Sequence, residues 1–221
     1  MLGILCCILE SRRNQHESLV SSVARNCANA EVLIYSDHQD LPTIERYNQA
    51  YRHFKSDRFA HYMFGASDIT IDTPKFDLQI YALTDEFQRR FGHRCWILYP
   101  DDGIHGQNLV THPVFTREYL DAAGEFFPSG YFRHSYCDNY LWLLGARTRT
   151  LIYCPALKLI HHHPLNRKGA MDEHYAKVYD PEYYEQDRKL FERCVVEHLP
   201  VIFERIMSAT APQGINPQQG S

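Results

Sequence analysis

The sequence predicts an α/β fold in which a mostly parallel sheet is flanked by helices. Short apolar runs of strand type alternate with amphipathic helical stretches along most of the chain, and this alternation is typical of parallel sheets covered on both faces. With 221 residues, of which 44% are hydrophobic and 23% charged, the chain fits one globular domain. We expect a single domain over residues 1–207 and a disordered tail over 208–221, where apolar side chains are few.

The first half of the chain alternates regularly between strands and helices. The run ILCCIL at 4–9 is apolar throughout, as in a strand that is buried on both faces. In the stretch that follows, apolar residues recur at helical spacing through Leu19, Val20 and Val23. By the same criteria, strands are predicted at 4–9, 32–35, 59–64 and 95–99, and helices at 16–26, 45–54 and 76–91.

The second half is less regular. A helix is predicted at 117–123 and ends at Gly124, and an aromatic loop follows at 125–132. A second helix is predicted at 136–144, and two strands at 150–153 and 157–160 form a hairpin around Pro155. The last stretch, 181–207, reads as a helix that is broken near Pro200.

Charge and cysteine usage exclude several classes of protein. The formal net charge of −4 argues against a protein whose main task is to coat nucleic acid. Seven cysteines, an odd number without C-x-x-C spacing, argue against a disulfide framework and predict reduced thiols. The apolar opening at 1–9 is too short to span a bilayer, and Arg12 and Arg13 follow it rather than precede it. We therefore expect a cytoplasmic protein without stable membrane insertion.

Aspartates follow successive predicted strands. Asp37, Asp68, Asp101 and Asp102 each come directly after a strand-type run. Ligands of parallel α/β sheets bind beyond the carboxyl ends of the strands, so this recurrence favours a site there. Aspartate is also a common turn and helix-capping residue, which leaves a purely structural role open for each of them.

Three consecutive histidines end the last predicted strand. Because side chains of a strand alternate between its two faces, His161 and His163 share one face and His162 points to the other. Imidazole and carboxylate ligands together suit Mn²⁺. A metal site and a solvated surface patch both remain open from these residues alone.

An ordered series of motifs runs from about residue 2 to residue 190. It comprises a first strand with an Arg-containing loop, a second strand ending in Asp37, an Arg-Tyr-Asn stretch at 46–48, a loop ending in Asp68, an acidic motif at Asp138, and an H-x-H-P motif at 161–164 with a trailing Asp172. This series resembles the GT-A glycosyltransferases, in particular small members of the large inverting family. The chain departs from that pattern at Ala66 and Ser67, which replace the first acid of the metal motif.

The resemblance implies an enzyme of the hexosyl- or pentosyltransferase class. It would move a sugar from a nucleoside-diphosphate sugar, with UDP-sugars favoured, to an acceptor hydroxyl, using Mn²⁺ or Mg²⁺ and inverting the anomeric carbon. The acceptor stays open among a glycan, a protein, a small molecule and a modified DNA base. The implied roles are catalytic base for Asp138, metal ligand for Asp68 with His161 or His163, and nucleotide or donor binding for Arg12, Asp37, Asn48 and Asp102.

Two alternatives remain at this point. The pair His161 and His163 also fits a metal-dependent hydrolase, which would need further ligands from other strand ends. A nonenzymatic module that binds nucleotide-sugars or glycans is the second alternative, because the first metal acid is missing and the loop at 125–132 is aromatic.

Overall fold

The structure is a computed structural model that describes residues 1–8, 16–36, 41–169 and 171–211. Within these ranges the strands are β1 (Leu2–Ile8), β2 (Ala30–Ser36), β3 (His61–Phe64), β4 (Ile69–Ile71), β5 (Ile97–Asp101), β6 (Val114–Thr116) and β7 (Leu151–His161). The helices are α1 (His16–Asn26), α2 (Thr43–Phe54), α3 (Phe76–Phe91), α4 (Arg117–Ala123), α5 (Cys137–Thr148), α6 (Glu173–Val178), α7 (Pro181–Glu197) and α8 (Leu199–Thr210).

The strands form one sheet in the order β2-β1-β3-β6-β5-β7-β4. β1 pairs in parallel with β2 and β3, and β5 pairs in parallel with β7. β6 is antiparallel to both β3 and β5, so these two strands run in the same direction, whereas β4 is antiparallel to β7. All the strands except β4 and β6 therefore share one direction in the part of the chain that the structure describes. This confirms the predicted α/β fold with a mostly parallel sheet.

Helices cover both faces of the sheet, which explains why β1 is apolar throughout. On one face, α1 and α3 bury Leu19 and Phe76 in the same apolar cluster as Ile4. On the other face, Leu5 belongs to a cluster with residues of α2, α4, α5 and α8. Successive residues of a strand point to opposite faces, and each fully buried Leu or Ile stabilises the fold by about 1.5 to 3 kcal/mol.

The predicted hairpin around Pro155 is wrong, because residues Leu151–His161 form one continuous strand. In its ladder with β5, Cys154 pairs with Pro100 and the next pair joins Lys158 to Asp101. Pro155 lies within this irregularity. Its missing N–H therefore breaks no ladder hydrogen bond, and the chain continues extended instead of turning.

Most of the predicted helices are found where the sequence placed them. The predictions at 16–26, 76–91 and 117–123 match α1, α3 and α4. The break near Pro200 separates α7 from α8. α8 runs to Thr210, beyond the expected start of the tail at 208, and residues 212–221 lie outside the described residues. β4, β6 and α6 were not anticipated. None of the described helices combines the length and the apolar character needed to cross a bilayer.

Candidate functional site

The candidate site lies at the edge of the sheet where the parallel strands end. The chain leaves β3, β5 and β7 at this edge, so the segments that follow these strands meet there. A cavity of about 350 Å³ opens between them and the start of α5. The titratable side chains in its wall include Asp68, His105, Asp138, His161 and His163.

The loop between β3 and β4 brings Asp68 to the cavity. Gly65 holds this loop against β1, because its N–H donates to the carbonyl oxygen of Leu5 at 2.9 Å. A Cβ on Gly65 would lie 2.7 Å from that same oxygen, so the close approach requires glycine. The carboxylate of Asp68 is 11% exposed and accepts a hydrogen bond from the phenol of Tyr175.

The pairing of β4 with β7 brings His161 next to Asp68. Ile69 stands opposite His161 in the ladder, and the backbone N–H of His162 donates to the carbonyl oxygen of Asp68 at 2.8 Å. As a result, His161 Nε2 lies 3.9 Å from Asp68 Oδ2. The ring of His162 turns to the opposite face of the sheet, where its Nε2 lies 2.8 Å from Thr70 Oγ1, as the alternation of strand side chains predicts.

His163 also lies in the cavity wall, but a different side chain engages it. Its Nε2 lies 3.0 Å from the phenol oxygen of Tyr179. Burial lowers the pKa of His163 to about 4, so the ring is neutral near pH 7. Of the two histidines between which the sequence did not decide, His161 is the one whose Nε2 approaches Asp68.

Asp102 is buried behind the cavity wall, between two histidines. Its Oδ1 accepts hydrogen bonds from the backbone N–H groups of Ile104 and His105, at 2.9 and 2.8 Å. Its Oδ2 lies 3.0 Å from His105 Nδ1 and 3.7 Å from His161 Nδ1. Burial alone raises the pKa of Asp102, but hydrogen bonding to His105 and His161 outweighs it and holds the pKa well below its usual range. The carboxylate is fully buried and is engaged by these protein groups, and its contact with donor sugar or ribose stays a prediction.

His112 packs behind His161 and was not anticipated from the sequence. Its Nε2 lies 3.5 Å from His161 Nδ1, and its φ of 49° places the backbone in the left-handed region. Burial lowers the pKa of His112 to about 3. The neutral ring therefore adds no charge to the cavity at neutral pH.

Asp138 faces the cavity from the first turn of α5. The segment before it is held by Asp187, whose buried carboxylate accepts hydrogen bonds from Arg133 Nε and from the backbone N–H groups of His134 and Ser135 at 2.7 to 3.0 Å. Burial raises the pKa of Asp138 to about 6. The carboxylate is therefore largely ionised at neutral pH and is a stronger base than an exposed aspartate.

Asn48 is buried, and its side-chain amide binds the aromatic loop at 125–132. Its Nδ2 donates to the carbonyl oxygen of Phe127 at 2.8 Å and to Ser129 Oγ at 2.9 Å. Its Oδ1 accepts from the backbone N–H groups of Phe126 and Phe127 at 3.1 and 3.0 Å. These four contacts satisfy the buried amide and anchor the aromatic loop at 125–132, and the nucleotide-binding role of Asn48 stays a prediction.

The remaining site residues fall into two groups. Arg12 and Asp37, both predicted to bind the nucleotide, lie outside the described residues. The structure adds His105, Tyr175 and Tyr179, which sequence reasoning missed. For His105, the one local signal in the sequence is its D-x-x-H spacing from Asp102.

Comparisons with known proteins identify the fold. No family model matches the chain, and no curated protein matches it. Among solved structures, the catalytic domain of Drosophila β1,4-galactosyltransferase 7 in complex with xylobiose aligns with a TM-score of 0.54 at 13% identity, covering 85% of this chain and 79% of the other. S. aureus TarS 1–349 in complex with UDP-GlcNAc aligns with a TM-score of 0.55 at 14% identity, covering 93% and 70%. A manganese, UDP-Gal and xylobiose complex of a mutant of the Drosophila enzyme has a TM-score of 0.51 at 12% identity and covers 85% and 79%. The resemblance to GT-A glycosyltransferases is thus confirmed, and the chain has the GT-A fold.

Proposed function

We propose that the chain transfers a sugar from a nucleoside-diphosphate sugar to an acceptor hydroxyl, with inversion at the anomeric carbon. The observation that carries the proposal is the approach of Asp68 Oδ2 and His161 Nε2, 3.9 Å apart, in the cavity that Asp138 also lines. A carboxylate and an imidazole together suit a divalent cation. A second, partly buried carboxylate on a different element suits a general base.

The donor set at Asp68 and His161 fits a cation that binds together with a diphosphate. Two donors that are each about 2.1 Å from one divalent cation lie about 3 to 4 Å apart, and the distance between these two atoms is 3.9 Å. No group of three or more His, Cys, Asp or Glu side chains within the described ranges is placed to hold a metal ion. The other coordination positions would then fall to diphosphate oxygens and water. Bound there, Mn²⁺ or Mg²⁺ would neutralise charge on the leaving diphosphate.

His161, rather than His163, is the proposed imidazole ligand. Asp102 lies 3.7 Å from His161 Nδ1, on the side of the ring away from Asp68. A carboxylate behind a ligating imidazole favours the tautomer with the proton on the rear nitrogen. That tautomer leaves the lone pair of Nε2 directed toward Asp68. His163 Nε2, in contrast, is engaged by Tyr179.

Asp138 is the proposed base. The acceptor hydroxyl is a weak nucleophile, and a carboxylate with a pKa of about 6 can take its proton as the oxygen attacks the anomeric carbon. The leaving diphosphate would lie on the side of Asp68, and the acceptor on the side of Asp138. Attack from the face opposite the leaving group inverts the anomeric centre.

The solved structures suggest which donors to test first. TarS has been crystallised with UDP-GlcNAc, and the Drosophila enzyme with manganese and UDP-Gal. UDP-sugars are therefore the first donor class, and Mn²⁺ the first cation, to test with this chain. The acceptor remains open among glycans, proteins, small molecules and modified DNA bases.

A donor screen tests the proposal. UDP-GlcNAc, UDP-Gal, UDP-glucose and GDP-mannose are incubated with the protein and an acceptor library, with and without Mn²⁺, and release of nucleoside diphosphate is measured. We expect release that depends on acceptor, Mn²⁺ and Asp138, and a product of inverted anomeric configuration by NMR. Release that is the same without any acceptor would favour the hydrolase. Binding without turnover of any donor would favour the nonenzymatic module.

A further inference from the structure

His105 is fixed on the cavity wall by a buried carboxylate. Its Nδ1 lies 3.0 Å from Asp102 Oδ2, and Asp102 also accepts the backbone N–H of His105 at 2.8 Å. The Asp102 side chain is fully buried, whereas that of His105 is 30% exposed and lines the cavity. Because Nδ1 is turned toward Asp102, the opposite edge of the ring, which carries Nε2, is directed away from that carboxylate.

The Asp102 carboxylate lies between His105 and His161, the proposed metal ligand. Its Oδ2 lies 3.0 Å from His105 Nδ1 and 3.7 Å from His161 Nδ1, so one oxygen stands between the two rings. His161 in turn approaches Asp68. A buried carboxylate needs compensating positive charge, and the hydrogen bond to Asp102 raises the pKa of His105 above its ordinary value.

The described part of the cavity wall carries little fixed positive charge. Among the described residues in its wall, Arg46 is the one Lys or Arg, and the wall also carries the carboxylates of Asp68 and Asp138. Arg46 is thus the one permanently charged cation that the described part of the wall offers a diphosphate.

We propose that His105, held by Asp102, is a further substrate-contacting residue that donates a hydrogen bond from Nε2 to the diphosphate of the donor. This inference rests on the proposed function. When the bond between the anomeric carbon and the diphosphate oxygen breaks, its electron pair goes to that oxygen. The imidazolium of His105 offsets the growing charge and keeps its own proton. Asp102 is a positioning residue in this scheme.

The loop between β3 and β4 offers a cation a single carboxylate, that of Asp68, because Ala66 and Ser67 carry none. With fewer protein ligands, less of the cation's position is fixed by the protein, and more of the diphosphate's position depends on direct contacts. A charged hydrogen-bond donor on the wall supplies such a contact.

Calorimetric titration of two ligand pairs tests this inference. UDP and uridine, and in parallel GDP and guanosine, are titrated in the presence of Mn²⁺ into the wild-type protein and the His105→Gln variant. Glutamine retains a hydrogen-bond donor but removes the charge, and the partly exposed position tolerates it. His53→Gln, on an exposed part of α2 outside the cavity wall, is the matched control, and thermal unfolding verifies the fold of each variant.

We expect His105→Gln to weaken binding of the diphosphate by about 10-fold or more, with nucleoside binding and the His53→Gln control unchanged. Equal diphosphate affinity in wild type and His105→Gln would overturn the role of His105 and leave the proposed function standing. An equal loss for nucleoside and diphosphate would also overturn it, because it would indicate a structural effect. A wild-type protein that binds neither diphosphate would overturn both the inference and the proposed function.

Discussion

We expect the Asp138→Asn variant to gain stability and to lose catalytic activity. Burial moves the pKa of Asp138 from 3.8 to about 6, so the folded state binds the proton more tightly than the unfolded state does. Ionisation of Asp138 therefore costs stability as the pH rises from about 4 to above 6. The difference of about 2 pKa units corresponds to at most about 3 kcal/mol. We expect Asp138→Asn to raise the free energy of unfolding at pH 7.5 by up to that amount, and the gain to shrink as the pH approaches 4.

The same substitution removes the proposed base. With a pKa of about 6, Asp138 is about 90% ionised at pH 7. Wild-type kcat is therefore expected to rise with pH, to reach half its maximum near pH 6 and to level off above about pH 7. General-base catalysis contributes about 10²- to 10⁴-fold, so we expect Asp138→Asn to lower kcat by a factor in that range. UDP affinity, measured by calorimetry, should stay within about threefold of the wild-type value, because asparagine is close in size and Asp138 lies on the acceptor side.

The assays are urea unfolding at pH 7.5 and 4.5 and release of nucleoside diphosphate across pH 5 to 8. Asp57→Asn is the matched control, because the Asp57 carboxylate is fully exposed, and it should change neither property. Activity of Asp138→Asn close to that of the wild type would exclude Asp138 as the base. A variant that loses stability at pH 7.5 would refute the stability prediction, because the burial that raises the pKa would then not be the dominant effect.

Two further predictions concern residues that shape the site without entering the proposed reaction. Asn48→Ala should lower the free energy of unfolding by about 3 kcal/mol, because it leaves the buried N–H groups of Phe126 and Phe127 without their acceptor. Urea denaturation measures this, and a loss of nucleotide affinity at unchanged stability would contradict the anchoring role and support the predicted nucleotide contact. Gly65→Ala should lower the free energy of unfolding by about 1 to 3 kcal/mol, since its Cβ would lie 2.7 Å from the carbonyl oxygen of Leu5. An unchanged melting temperature would contradict the tight contact of this loop with β1.

Local sequence patterns predicted the elements of the fold well where one pattern dominated. α1, α3 and α4 have clear helical periodicity, and their predicted bounds match the structure. β7 was misjudged because Pro155 indicates a turn when only neighbouring residues are considered. Its actual environment is an interruption of the ladder with β5, which depends on a strand more than 50 residues earlier in the chain.

The part of the candidate site that lies at strand ends was predictable from the sequence. Asp68 and His161 follow from the rule that parallel strands end at one edge, and the register of β4 with β7 then brings the two side chains together. The contacts of Asn48 were not predictable from local patterns, because its partners, at 126–129, come from a loop about 80 residues away. The tyrosine contacts to Asp68 and His163 likewise depend on the docking of α6, which no local pattern in the sequence encodes.

A titration of Mn²⁺, followed by electron paramagnetic resonance in the presence and absence of UDP, tests directly whether Asp68 and His161 hold one cation. We expect weak binding of Mn²⁺ alone, tighter binding with UDP, and loss of the UDP-dependent gain in both Asp68→Asn and His161→Gln. His162→Gln is the matched control, because that ring faces the other side of the sheet, and it should bind as the wild type does. Undiminished UDP-dependent Mn²⁺ binding in both Asp68→Asn and His161→Gln would contradict the claim that these two side chains hold one cation.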